Sequence, residues 1–490
     1  MASTARSIAG GAVWMVLFKG LERSLGLIST LILVRVLIPE DFGLVAMAMA
    51  VIAIVELMGA FGFDMALIQR QSATREHYDT AWTFNILLAS AIGLIILALA
   101  VPMSQFYEEP RLVSVFFALA IGSFAMGLQN IGVVDFRKNL EFDKEFKFLL
   151  SKKLIGFCTT VPLAFILKSY WALIFGMLAS KLGAVLLSYI WSPFRPRLSL
   201  QAKGDLFNFS KWLLLNNVAL AIRNKASTFI IGKSLGSHSL GIFAVGDQIA
   251  NLPTTELSAP ISRAVYPGYS KHGNDRGRLA GLYLGVMGAI IALATPAGVG
   301  LALVAPELVP IMLGEDWGET IPVIQILAVS GALLLIQANT GYVLYALGQP
   351  NVRAHMTVLH AVVLVVLLLY MTSSGGLVGA AWAHLIATLI VTPIIMAVVL
   401  LKLTIGPSDF FRVMWRPTLA VLAMSATVLY VRHALEASGD LVVLIAGVLT
   451  GVVTYLVSMI ALWLLSGKPD GFESSAFEEV RRRLGQVTET

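Results

Sequence analysis

The sequence predicts an all-α polytopic membrane protein of about 14 transmembrane helices, arranged as two parallel six-helix repeats with two extra helices at the carboxyl end. Three observations lead there. Hydrophobic residues make up 57% of the 490 residues and charged residues 13%, about half the charged share of a soluble protein. Apolar runs long enough to cross about 30 Å of hydrocarbon recur along the whole chain. Residues 14–46 also return at a shift of 198 positions: Trp14/Trp212, Leu17/Leu215, Ser29/Ser227, Thr30/Thr228, Ile32/Ile230, Leu37/Leu235, Gly43/Gly241 and Ala46/Ala244 are identical, and Arg35 meets Lys233.

Runs bounded by charge, Pro and Gly place the spans near 12–37, 42–66, 81–101, 112–134, 154–167, 171–191, 211–235, 241–264, 280–304, 321–347, 355–372, 377–401, 417–434 and 441–466. The fifth is short. A shift of six helices is even, so the two copies insert the same way up. The expected organisation is an amino-terminal bundle over 1–191, a Pro-rich, charged, hinge-like linker over 192–210, a second bundle over 211–401, two further helices over 402–466 and a tail over 467–490. That tail reads as an amphipathic helix on the membrane surface or as a solvated end.

The opening residues lack the short apolar core and small-residue cleavage site of a removed signal peptide, so the first helix is expected to be retained. Lys and Arg sort by side. Loops on one face hold 24 of the 35, the other face holds Arg111, Lys168 and Arg432 with Arg35 and Lys233 at helix ends, and six lie inside spans. Basic loops resist translocation, so both termini are expected in the cytoplasm. The net charge of +6 is then a property of those loops, and nucleic acid is not an expected partner.

Enzyme signatures are absent: no Gly-rich phosphate loop follows a strand, and no His, Cys and Asp cluster has metal-ligand spacing. His355 and His360 are five apart and point to different helix faces. The single cysteine, Cys158, lies in an apolar run and reads as a buried small hydrophobe. Neither a catalytic residue nor a metal or cofactor is expected, and function is placed inside the bundle.

Charges inside spans cost about 2.5–3.5 kcal/mol each on insertion scales and therefore face a cavity or a partner. Helix 1 carries Lys19, Glu22 and Arg23. Helix 7 carries Arg223 and Lys225, with Asn216, Asn217 and Asn224 nearby. Helix 2 contributes Glu56 and Asp64, and helix 8 contributes Asp247 and Glu256. Two readings stand side by side. In one, Lys19, Arg23, Arg223, Lys225 and Asn217 bind an anionic group such as a pyrophosphate, Arg by its planar fork and Lys as a point charge. In the other, basic helix 1 pairs with acidic helix 2 and basic helix 7 with acidic helix 8, as structural ion pairs. Arg35 and Lys233 read as cations snorkelling to the interface. The turns L-I-P-E-D-F-G and L-G-S-H-S-L-G read as structural, broken by Pro39 and Gly236 and capped by Asp41 and Ser239.

The opening G-G-A-V-W-M-V-L-F-K-G, the stretch S-T-L-I-L-V-R-V-L-I-P-E-D-F-G-L-V-A-M-A, the L-I-Q-R after helix 2 and F-R-K-N-L-E-F-D-K-E-F after helix 4 resemble bacterial polysaccharide exporters of the Wzx type, in the multidrug, oligosaccharidyl-lipid and polysaccharide superfamily. The resemblance implies two six-helix bundles around a central cavity open alternately to the two sides. It implies as cargo an undecaprenyl-pyrophosphate-linked sugar repeat unit, moved from the cytoplasmic to the periplasmic leaflet of the inner membrane for surface polysaccharide synthesis. It also implies a proton or sodium gradient as drive, and a periplasmic polymerase and chain-length regulator as partners. Lys19 and Arg23 match the helix-1 cations expected to meet the pyrophosphate. Two other functions fit the same residues: a cation-coupled exporter of small drugs, with Glu22, Glu56 or Asp247 carrying the coupling ion, and a non-transporting scaffold of a polysaccharide assembly complex.

Overall fold

The computed structural model describes residues 2–57, 63–70, 72–201, 211–469 and 474; side chains of 2–13, 16, 65, 66, 69, 211–223 and 255–264 lie outside that description. The described chain is helical: α1 Ala2–Leu33, α2 Pro39–Leu57, α3 Phe63–Gln69, α4 Arg75–Tyr107, α5 Leu112–Gly127, α6 Val134–Lys138, α7 Phe142–Leu167, α8 Trp171–Trp191, α9 Lys211–Ala250, α10 Leu252–Lys271, α11 Arg276–Met312, α12 Thr320–Ala346, α13 Pro350–Leu403, α14 Pro407–Ala434 and α15 Asp440–Leu465.

Each of the fourteen expected spans falls on one or more of these elements. Among the described residues, nine helices are long and apolar enough to cross a membrane, or ten when the bent pair Leu112–Gly127 and Ile131–Lys138 counts as one span. Two helices outside that set are charged: α1 carries Lys19, Glu22 and Arg23, and α2 carries Glu40, Asp41 and Glu56. The protein is a multi-pass membrane protein.

Glycine explains two of the joins. Gly236 (φ 80°) bends α9 where the seventh expected span ends, and Gly376 (φ 58°) bends α13 between the eleventh and twelfth. Both φ values are in the left-handed region that only a residue without Cβ adopts freely. The fifth span is longer than expected, because α7 begins at Phe142 and keeps Lys144, Lys147, Lys152 and Lys153 on the helix. Lysine is a good helix former, so these charges end the apolar run without ending the helix.

The chain forms two compact units, Met1–Gly241 and Ile242–Thr490. In the first, α4 pairs with α5, α7 with α8, α5 with α8 and α1 with α7. Trp14 and Phe18 of α1 meet the Phe146 ring at 4.9 and 6.4 Å, the close packing that holds helices together where lipid removes the drive from dehydration. The 68° bend after α5 is tied by the fully buried Asn130. Its Oδ1 accepts from the Gly132 amide at 2.9 Å, its Nδ2 donates to the Phe194 carbonyl at 2.7 Å, and its own amide donates to Ser188 Oγ at 2.9 Å.

The linker is not a free hinge at its start. Residues 192–200 form no regular element, but the Arg197 amide donates to Asp79 Oδ1 at 2.8 Å and the Ser199 amide to Thr83 Oγ1 at 2.9 Å. Residues 202–210 and the amphipathic stretch expected in the tail lie outside the described residues. Cys158 is exposed on α7 rather than buried; an apolar run in a membrane helix has a lipid-facing side as well as a core side, and composition alone does not separate them.

In the second unit α12 packs against α10, α11 and α13, and α14 and α15 pack on each other and on α11. One core gathers Tyr269, Tyr283, Met287, Leu335 and Val399. A second joins Val304 of α11, Met424 and Val428 of α14, and Tyr455 and Met459 of α15.

Candidate functional site

The first unit holds a polar cavity of about 310 Å³, lined by Asp64 on α3, Asn85 on α4, Gln129 and Asn130 at the bend, Arg137 on α6, and Glu145 and Lys152 on α7. Polar side chains from five parts of the chain converge here, where the bend after α5 brings α6 against α7. Arg137 Nε donates to Glu145 Oε1, and Glu145 is 4% exposed. A buried carboxylate needs such a charge-assisted partner.

Lys152, at this cavity, also lies near Lys181, Lys153, Glu22 and Glu56. Lys19 Nζ donates to Glu22 Oε2 of its own helix at 2.8 Å, and Lys181 Nζ of α8 donates to Glu56 Oε1 at 3.1 Å. Lys19 thus has a partner on its own helix, and Glu56 takes one from α8. Lys19 remains the more exposed member of its pair, at 59% against 33% for Glu22. Arg23 and Lys225 are half-buried. Arg223 and Asn217 lie outside the described side chains, as does Glu256. In the second unit, Asp247 Oδ1 accepts from Asn251 Nδ2 at 2.7 Å.

Sequence reasoning counted Arg137 and Lys152 as loop cations and gave Glu145 no role. The signal was present in F-R-K-N-L-E-F-D-K-E-F, where an arginine and a glutamate eight apart flank a short break. His355 is exposed and His360 buried, with His360 Nδ1 3.2 Å from Gln337 Oε1, as the different faces require. Among the described residues no group of three or more His, Cys, Asp or Glu is placed to hold a metal ion.

The second unit carries a site of opposite character, an apolar groove of about 400 Å³ lined by Pro296, Gly300 and Val304 of α11, Val428 of α14, and Gly447 and Gly451 of α15. Pro296 has no amide hydrogen, so the carbonyl four residues back, at Ala292, loses its helical donor. Tyr455 Oη supplies one at 2.7 Å, which keeps a backbone oxygen satisfied where no water reaches it. Gly447 and Gly451 leave room above Val428. The two extra helices thus form one wall of the groove.

At the far end of α4 from residues 192–200, the α1–α2 turn meets the bend in α9. Lys233 Nζ donates to Glu108 Oε1 at 2.7 Å, so this cation is paired. Asp41 does not cap α2. It lies within the first turn of the helix, and its Oδ1 accepts from the Tyr170 amide at the start of α8 at 3.0 Å.

Long apolar helices, with a charged cavity in one unit and an apolar groove in the other, define a multi-pass membrane protein rather than a soluble or single-pass one. Residues 32–322 match the family model described as Polysaccharide biosynthesis protein, and the chain belongs to that family. It is 24% identical over 415 residues to the lipopolysaccharide biosynthesis protein WzxC of Escherichia coli K12, covering 83% of this chain and 84% of that one. It is 25% identical over 464 residues to the succinoglycan biosynthesis transport protein ExoT of Rhizobium meliloti, covering 92% of each. Among solved structures, the lipid II flippase MurJ in an inward closed conformation superposes with a TM-score of 0.74 over 92% of this chain and 99% of that one, at 14% identity. That likeness establishes the fold.

Proposed function

We propose that this chain flips an undecaprenyl-pyrophosphate-linked oligosaccharide repeat unit from the cytoplasmic to the periplasmic leaflet of the bacterial inner membrane, by alternating access, for surface polysaccharide synthesis. The observation that carries the reading is a charged, amide-lined cavity within a chain of membrane-spanning helices, the surroundings that a polar head group requires. The names of the relatives supply the cargo class. The positive-inside bias supports cytoplasmic termini.

Lys19 and Arg23, with Arg223, Lys225 and Asn217, take the pyrophosphate; the anion draws Lys19 away from Glu22, which frees a carboxylate. Glu22, Glu56 and Asp247 are then the candidates for coupling to a proton or sodium gradient. The lipid tail lies along the α11–α15 groove. The chain moves cargo and makes no bond, and a polymerase and a chain-length regulator act on what it delivers.

The test is translocation of a fluorescent undecaprenyl-pyrophosphate glycan in vesicles holding the purified protein. Transfer that requires the protein and is lost in Lys19→Ala/Arg23→Ala supports the reading; transfer unchanged in that double variant removes the pyrophosphate site. Efflux of cationic dyes with no glycan transfer points to the drug-exporter alternative, and no transfer of either to a scaffold.

A further inference from the structure

The two turns that the repeat makes equivalent touch each other inside the first unit. Glu40 and His238 are 198 residues apart, the repeat shift itself, and Glu40 Oε1 lies 2.8 Å from His238 Nδ1. The backbones beneath them cross reciprocally. A Cβ on Gly43 falls 1.7 Å from the Ser237 carbonyl oxygen, and one on Gly241 falls 1.8 Å from the Pro39 carbonyl oxygen. Pro39 and Ser237, like Gly43 and Gly241, occupy matching repeat positions, so the contact has local two-fold symmetry and closes only because both crossing residues lack a side chain. Backbone oxygens cannot swing aside as a flexible side chain does.

Side chains of both signs surround the crossing. After α4, Glu109 takes a two-pronged bond from Arg111, at 2.8 and 2.7 Å, and Ser237 Oγ donates at 3.4 Å to Oε2, the oxygen that also accepts from Arg111 Nη2. Glu108 holds Lys233, and Asp41 holds the Tyr170 amide. Tyr107 at the end of α4, Tyr170 before α8, Lys168 at the end of α7 and Arg35 after α1 are further titratable and charged groups at these ends of the elements. The Glu40 and His238 side chains are 34% and 42% exposed, open to solvent at the end of the bundle. Histidine is the side chain whose charge changes between pH 5 and 8.

We propose that this reciprocal glycine crossing is a clasp that packs and separates during the working cycle, and that the Glu40–His238 pair makes it proton-sensitive, tighter when protonated. With His238 charged the contact is an ion pair; with it neutral only a hydrogen bond remains. Gly43 and Gly241 set how closely the turns approach, and Glu40 and His238 set how long they stay together. The device adds to the flipping reading a contact that can be read without cargo, so its failure leaves that reading standing.

The test uses the full chain in nanodiscs with Cys158→Ala and nitroxide labels at Ile38→Cys and Ser234→Cys, both exposed, read as a distance distribution. Lowering the pH from 8 to 5.5 is expected to raise the ratio of short to long distances about threefold, the scale of a part-exposed ion pair. Glu40→Gln and His238→Gln, which keep hydrogen-bonding side chains, remove that response. Gly43→Ala lowers the short-distance fraction at both pH values, and Gly26→Ala, with open space around it, leaves it as in the parent. A pH response that survives both Gln substitutions, a parent with no response, or a Gly43→Ala distribution equal to the parent's overturns the proposal. The Gln variants decide the question even where Gly43→Ala fails to fold.

Discussion

Tyr455 on α15 donates its hydroxyl to the Ala292 carbonyl on α11 at 2.7 Å, across the floor of an apolar groove. Pro296 creates the need for that bond, and the last helix meets it. Tyr455→Phe leaves a buried carbonyl without a partner, at a cost of about 1–3 kcal/mol. A fall in melting temperature in detergent is expected, and a melting curve equal to the parent's contradicts this role for the hydroxyl.

Filling the groove separates its use from its stability. The nearest atoms to a Cβ on Gly447 are 3.7 and 3.8 Å away, so Gly447→Leu inserts a side chain into the groove without a clash at its first atom. Glycan transfer is expected to fall at least about tenfold, the effect of about 1.4 kcal/mol, with membrane insertion unchanged. Transfer at the parental rate excludes the groove as a path for the lipid.

Asn130 should be a stability residue and not a cargo residue. Asn130→Ala removes two side-chain bonds at the bend, each contributing about 0.5–1.5 kcal/mol, and leaves the Phe194 carbonyl and the Gly132 amide to find other partners. Lower thermal stability is expected, with faster proteolysis after Phe194. Unchanged stability together with lost transfer assigns Asn130 to the cargo instead.

Acid should loosen the loop after α4. The Arg111 guanidinium beside Glu109 holds its carboxyl below the usual carboxylate range. A carboxyl with a lowered folded value stabilises the fold above its unfolded value, near about 4.3. That contribution is lost as the pH falls through the folded value. Amide exchange at residues 108–112 should therefore rise below about pH 4, and Glu109→Gln should show the faster exchange already at neutral pH. Equal exchange in both proteins at pH 7 contradicts the assignment.

Hydropathy made the helices legible, and the shift of 198 made the duplication legible, because both depend on residue type alone. The roles of particular charges were less so. Lys152 reads as one more basic loop residue until α7 is seen to begin ten residues earlier, which places it beside a cavity. Glu56 invited pairing with helix 1, yet Lys181 reaches it from α8, since sequence order says little about which helices adjoin. The repeat set Glu40 and His238 in equivalent positions, but equivalence does not entail contact, and only the crossing at Gly43 and Gly241 shows that they meet. Asp41 read as a cap because aspartate is a favoured capping residue; it lies inside the first turn, and its carboxylate accepts from the Tyr170 amide.

The most direct measurement of the central claim is the rate at which a fluorescent undecaprenyl-pyrophosphate glycan crosses the bilayer of vesicles containing this protein alone, read by quenching from outside. Protein-dependent transfer that disappears in both Lys19→Ala/Arg23→Ala and Gly447→Leu is the predicted result. Transfer no faster than in empty vesicles, with a gradient imposed and the protein shown to be folded, contradicts the account.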